Sequence, residues 1–234
     1  MKRLYRQVEV AGEGDRHRVL LDGRPVRTPA KRVLTLPTSA LAAALAAEWR
    51  DQGDTIQAAT MPLTRLASTA QERLPGHRAA AITELIGYAD TDLLCYRAAA
   101  PLDLVERQGE TWQPLLDWAA STHGARLVVT TSILPVSQPA TAVSRLQAAV
   151  EARDDWALVG LHAATTALGS LVLGLALVDG RIDAGQALAA SLLDELFEIE
   201  RWGQDAETKR RHAALRRDVE AAATFLASLA SGRA

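Results

Sequence analysis

No charged residue occurs between Trp156 and Val178. A stretch of that length either crosses a bilayer or lies buried at the centre of a helical domain, because about 20 apolar residues span the hydrocarbon layer. His162, Thr165, Thr166 and Ser170 interrupt it, together with Gly160, Gly169 and Gly174. Both flanks are acidic (Asp154, Asp155 and Asp179), so there is no positive-inside asymmetry. A helix apolar on all sides then reads as the core helix of a globular domain, and membrane insertion is not expected.

The rest of the composition agrees. The 234 residues are 48% hydrophobic and 23% charged, the balance of an ordinary globular chain long enough to bury a substantial core. Cys95 is the only cysteine, which rules out an internal disulfide and fits a reducing compartment. The start, MKRLYRQVEV, has neither the apolar run of a signal peptide nor a transit-peptide pattern. Lys2, Lys31 and Lys209 are the only lysines among 26 basic residues. A bacterial cytoplasmic protein is expected. Net charge is -2 and no basic stripe is interleaved with aromatics, so no nucleic-acid partner is expected. Five Trp stand against two Phe and three Tyr, a bias towards a residue used as an anchor at protein interfaces.

The first forty residues alternate apolar and polar. Val8 and Val10 lead to a turn over Gly12 to Asp15, and Val19 to Leu21 runs into Asp22-Gly23, then Val26 and Thr28. Asp-Gly between apolar runs signals a hairpin, because both turn residues need positive φ. Val33 to Leu36 offers a third strand. Pro37-Thr38-Ser39 opens a helix with Leu41, Leu45 and Trp49 on one face, closed by Gly53. A second helix begins near Pro62 with Thr60 as its cap, and a third runs from His77 to Tyr88 after a break at Pro75-Gly76.

Beyond Tyr88, helical spacing covers 102–108, 113–122, 140–152, 155–178, 184–202 and 207–229, with Arg126 to Ser132 as one strand-like insertion. The expectation is an α+β chain. A small antiparallel sheet with helices over 1–90 precedes an all-helical domain over 91–234.

Few groups look catalytic. The histidines 17, 77, 123, 162 and 212 show no ligand spacing, so no metal is expected. Gly12-Glu13-Gly14 lacks the rest of a phosphate-binding loop. Asp90 and Asp92 could chelate a metal, but a capping role at the junction is favoured. Cys95 with His162 could pair as nucleophile and base, yet Leu94 and Tyr96 beside it suggest a buried, inert thiol.

The segment 184–202 is the most informative. At about 100° per residue, Leu188, Leu192, Leu196 and Ile199 form one apolar stripe. Glu195 falls on its shoulder between Leu188 and Trp202, while Asp194 and Glu198 point to the polar side. A carboxylate there needs a partner or water. Three readings stand: a local ion pair with Arg201 or an arginine of a neighbouring helix, a contact for a basic group on a partner protein, or a general acid.

Seven segments carry a resemblance: LLDGRPVRTP (20–29), LAAALAAEWRDQGDTI (41–56), TMPLTRLASTA (60–70), DTDLLCYR (90–97), WQPLLDW (112–118), DDWALVGL (154–161) and ELFEIERWGQDAE (195–207). In this order they resemble the assembly chaperones that bind the α subunit of F1-ATPase. The resemblance implies a non-enzymatic protein with no cofactor and no small-molecule substrate. It would shield the interface of a free α subunit until β replaces it. The acidic position the family uses maps onto Glu195, with Asp194 beside it and Leu196 where the family has a second acid. Glu198 and Trp202 share that helix, and Trp49 matches another family position. The competing readings are an enzyme with a carboxylate-lined cleft (Asp90, Asp92, Glu195) and an adaptor for a different protein partner.

Overall fold

The computed structural model describes residues 2–231. Its elements follow the expected order, a three-stranded antiparallel sheet and then helices. β1 (Val8–Glu13) pairs with β2 (Arg16–Leu21), placing Val10 opposite Val19, and β2 pairs with the short β3 (Arg24–Pro25). Asp22 and Gly23 both adopt positive φ, 46° and 76°, as a right-twisted hairpin demands. Val33 to Leu36 is not a third long strand. It follows a tight turn through Lys31 at φ 65° and pairs only at isolated positions, Arg27 with Val33 and His17 with Leu36. Its contribution is two core side chains, Leu34 and Leu36.

α1 (Ser39–Arg50) begins where Thr38 Oγ1 accepts the Leu41 amide, satisfying one of the four amides that a helix start leaves free. It ends at Asp51 rather than Gly53. α2 (Pro62–Glu72) has no local cap, since Thr60 is turned to Gln52 and Gln57. Glu48 of α1 does that work instead, accepting the Leu63 and Thr64 amides at 2.6 and 2.8 Å. α3 (Leu74–Gly87) contains Pro75 and Gly76 in its first turn. Pro costs nothing there, because its missing N–H would have had no helical acceptor.

α4 (Leu102–His123) is continuous through Gly109 and Pro114, where two helices were expected. Gly costs a helix about 1 kcal/mol against Ala. Burial of Trp112, Leu115, Leu116 and Ala119 along the same helix outweighs that. α5 (Ala140–Glu151) follows. The uncharged stretch forms two helices, α6 (Asp155–Leu168) and α7 (Leu171–Val178). Gly169 at φ 68° breaks them and Ser170 caps the second. Every residue of α7 from Leu171 to Leu177 is buried. A side chain at Gly174 would run into Thr165, so glycine allows α6 and α7 to close together. The segment 184–202 is also two helices, α8 (Ala184–Ser191) and α9 (Leu193–Trp202), and α10 (Ala206–Ala230) ends the described chain. No helix among the described residues is long and apolar enough to cross a membrane.

The chain divides into two compact units that are not consecutive in sequence. The first takes the residues up to Arg78, Asp155–Gly160 and the chain from Ala221 onward; the second takes Ala79–Asp154 and Leu161–Glu220. The core of the first unit joins Val19, Val26, Leu34 and Leu36 to Leu41 and Leu45 of α1 and to Phe225 and Leu229 of α10. In the second, α7 packs against α4 and α8, and α4 against α5 and α9.

Candidate functional site

α9 opens after Leu192, whose φ and ψ of -97° and 9° stop α8. Asp194 and Glu195 stand in its first turn and Arg201 in its last, the placement a helix dipole favours at each end. Gly203 at φ 82° closes it. Because the two helices are separate, a single apolar stripe does not run through them. The buried positions of α9 are Leu193 and Phe197, while Leu196 is exposed. Arg201 lies over the Phe197 ring at 3.5 Å and pairs with Asp103, and Arg107 pairs with Glu200 at 2.7 Å. α4 thereby holds α9 on both sides of Phe197.

The two acids of the first turn point to different tasks. Asp194 faces inward and accepts the Gln108 side-chain amide at 2.7 Å. Gln108 is buried, accepts the Ala98 amide through its own carbonyl, and gives its backbone carbonyl to Arg97. Glu195 faces α10 instead. Both its oxygens receive the Arg211 guanidinium, and His212 Nε2 lies 2.7 Å from Oε2. The Arg211 hydrogen bonds, aided by His212 and opposed by partial burial, hold the Glu195 carboxyl below the usual carboxylate range. The same bonds push the Arg211 guanidinium up. The ion-pair partner is therefore an arginine of a neighbouring helix, and Arg201 is occupied elsewhere. Neither Arg211 nor His212 was legible beforehand, since a separation of 16 or 17 residues carries no periodic signal.

Glu198 and Trp202 project from α9 into solvent, Trp202 with 81% of its surface exposed. At 100° per residue Trp202 lies within one narrow sector of the helix with Glu195 and Glu198. Trp49 belongs to the first unit, half-buried against its core and edge-on to Tyr5 at 5.8 Å.

The carboxylate-lined cleft does not form. Glu195 borders a hollow of about 360 Å³ with Thr91, Leu93, Leu192 and Arg211, and neither Asp90 nor Asp92 is part of its wall. Asp92 is fully buried and accepts the Leu94 amide, the Ser170 hydroxyl and the Val172 amide. Burial pushes its carboxyl up, against those bonds. Asp90 receives the Tyr96 hydroxyl on its backbone carbonyl and the Gln138 amide on Oδ1. Asp92 thus ties its own turn to the start of α7, and Asp90 ties its turn to Gln138. The Cys95 thiol is pushed up to about 12 by burial, reinforced by the Asp92 charge, and His162 pairs with Glu84 at 3.1 Å. No group of three His, Cys, Asp or Glu among the described residues could hold a metal ion.

The molecule is thus an α+β protein with a small antiparallel sheet, a helical second unit, and an acidic helix face that ends in an exposed Trp. A family model described as ATP12 chaperone protein matches residues 2–120. The crystal structure of Atp12 from Paracoccus denitrificans is 42% identical, with 97% of this chain and 98% of that chain covered and a TM-score of 0.90. An aspartate-to-lysine mutant of the Paracoccus denitrificans protein matches at the same identity and TM-score, with 97% of each chain covered. A candidate chaperone from Agrobacterium tumefaciens is 38% identical, with 97% of this chain and 86% of that chain covered and a TM-score of 0.92. The chain belongs to the ATP12 chaperone family.

Proposed function

We propose that this chaperone serves assembly of the F-type ATP synthase in the bacterial cytoplasm, binding the free α subunit of F1-ATPase and covering its interface until β takes its place. It acts by contact alone, without catalysis, cofactor or small-molecule substrate. The observation that carries the reading is Trp202, exposed at 81% on the same face of α9 as Glu195 and Glu198. Isolated exposed apolar residues are ordinary, but Trp is the residue most enriched among interface hot spots. Here it stands beside a carboxylate whose present partner is replaceable.

Replacement is the physical core of the proposal. The Arg211 side chain is 55% exposed and that of Glu195 41%, so their pairing is a solvent-screened surface pair that contributes little to stability. A basic side chain of the client can take the place of Arg211 at little cost. Trp202 then supplies apolar contact, with Glu198 at its edge and Asp194 fixing the first turn from behind. A mixed polar and apolar face suits a complex that must later yield its client. Trp49 is proposed as a further contact on the first unit.

The test is aggregation of isolated α subunit, followed by light scattering with and without the chaperone. Wild type is expected to suppress it with no nucleotide added, and Glu195→Lys to lose that effect while keeping its circular dichroism. Full protection by Glu195→Lys would remove Glu195 from the contact. Failure of the wild type to hold α would refute the function itself.

A further inference from the structure

Charge is divided unequally between the two units. The first holds 14 Lys and Arg against 9 Asp and Glu, the second 12 against 19. The whole chain nevertheless carries only -2, so two copies repel each other weakly while their unlike units attract.

The first unit carries a groove of about 630 Å³. Tyr5, Leu21, Val26 and Trp49 give it an apolar wall, and Lys2, Arg24 and Arg27 line it as exposed cations. Among the described residues none of the three closes an ion pair. Arg27 bonds the Lys31 carbonyl, and Arg24 acts on Asp22 through its charge. Asp22, the acid of that wall, is itself turned onto the Arg6 and Gln7 amides. The groove is built before anything enters it. Tyr5 donates its hydroxyl to the Trp49 carbonyl at 2.7 Å, with the Arg3 guanidinium 4.6 Å from its ring centre. Arg3 donates its amide to the Asp54 carbonyl at 2.8 Å, beside the bridge between Lys2 and Thr55. Fixed walls spare an occupant the cost of ordering them.

This groove fits an apolar side chain flanked by carboxylates, and the second unit displays one. Trp202, 81% exposed, shares its face of α9 with Glu195 and Glu198. An aromatic side chain of that size buries about 150–250 Å² when it finds a site. We propose that, when no client is bound, Trp202 of one copy enters the groove of a second copy, with Glu195 and Glu198 facing Lys2, Arg24 and Arg27. A groove cation then does for Glu195 what Arg211 does within the chain. The contact is head-to-tail, because groove and Trp202 are different surfaces and each copy offers both. It buries less than the about 1,600 Å² of a standard interface, so it is weak and reversible. The self-contact stands without the client. Its consequence rests on the chaperone reading above: the surfaces proposed to meet the client cover each other at rest and part when it arrives.

Sedimentation equilibrium of the intact chain at rising concentration and low salt reads the contact. The mean mass is expected to climb with concentration and to fall back at about 1 M salt, where charges are screened beyond about 3 Å. Trp202→Ala, and separately Arg24→Glu combined with Arg27→Glu, are each expected to weaken association at least tenfold with unchanged melting. The two variants mixed are expected to associate again and to stop at dimers, because one keeps its groove and the other its Trp202. A chain that stays monomeric at every concentration overturns the proposal, as does association that survives either variant or a mixture that stays monomeric. Titration with isolated α subunit is expected to return the chain to single copies. Self-association unmoved by bound α would overturn the resting role. If α does not bind while the variants behave as expected, the chaperone function fails and the self-contact survives. A chain monomeric throughout, whose groove variant loses α binding, would assign the groove to the client and overturn the second copy.

Discussion

Glu195 receives on both carboxylate oxygens the guanidinium of Arg211, a residue of α10 that lies 16 positions further along the chain. A charge swap separates its two roles. Glu195→Lys combined with Arg211→Glu restores the ion pair with the signs exchanged. If Glu195 serves only α10, the double variant regains everything the single one lost. If Glu195 meets a basic group of the client, melting recovers and α binding does not. The second outcome is expected, measured by calorimetry alongside titration with α.

The same pair sets a pH dependence. The Glu195 carboxyl lies below its ordinary value of 4.5 in the folded protein, first because of Arg211. Its contribution is therefore present above 4.5 and lost as pH falls through the depressed value. Glu195→Gln is expected to cost about 0–1 kcal/mol at pH 7, with the difference closing at pH below 4.5. Denaturant melts at several pH values check it. A gap that widens in acid would contradict the assignment.

Trp202→Ala is expected to weaken α binding at least tenfold while moving the melting temperature by under about 2 °C, since an exposed side chain leaves no cavity when removed. A large loss of stability would mark Trp202 as structural.

Asp92→Ala leaves three buried donors (the Leu94 and Val172 amides and the Ser170 hydroxyl) without their acceptor. A loss of about 3 kcal/mol is expected, lowering melting by about 6–12 °C in a chain of this size. Denaturation curves decide, and a neutral result would show that the turn at Ser170 closes without the carboxylate.

The Cys95 thiol, raised to about 12 and buried, is expected to resist a disulfide reagent at pH 8 in the folded protein and to react completely in denaturant. Rapid labelling of native protein would show that the segment Leu93–Cys95 opens.

Much of the fold was legible because it is written in local chemistry. Asp22-Gly23 requires its hairpin, Pro37-Thr38-Ser39 its helix start, and the alternation of Val8 and Val10 its strand. The uncharged 156–178 stretch could be read as buried for the same reason, and Glu195 could be singled out as a carboxylate with a cost to meet. Tertiary structure decided what lies beyond a few residues. Gly169 breaks the apolar stretch at φ 68°, and α6 and α7 then pack closely at Gly174 and Thr165; α4 runs through Gly109, with Trp112 buried beside it. Glu48 caps α2 from another helix, and Arg211 answers Glu195 from the second turn of α10. Periodicity reports which face of a segment is apolar, since that depends on neighbours within two turns. Which distant groups meet on that face depends on chain path and packing, and only the folded molecule holds that information.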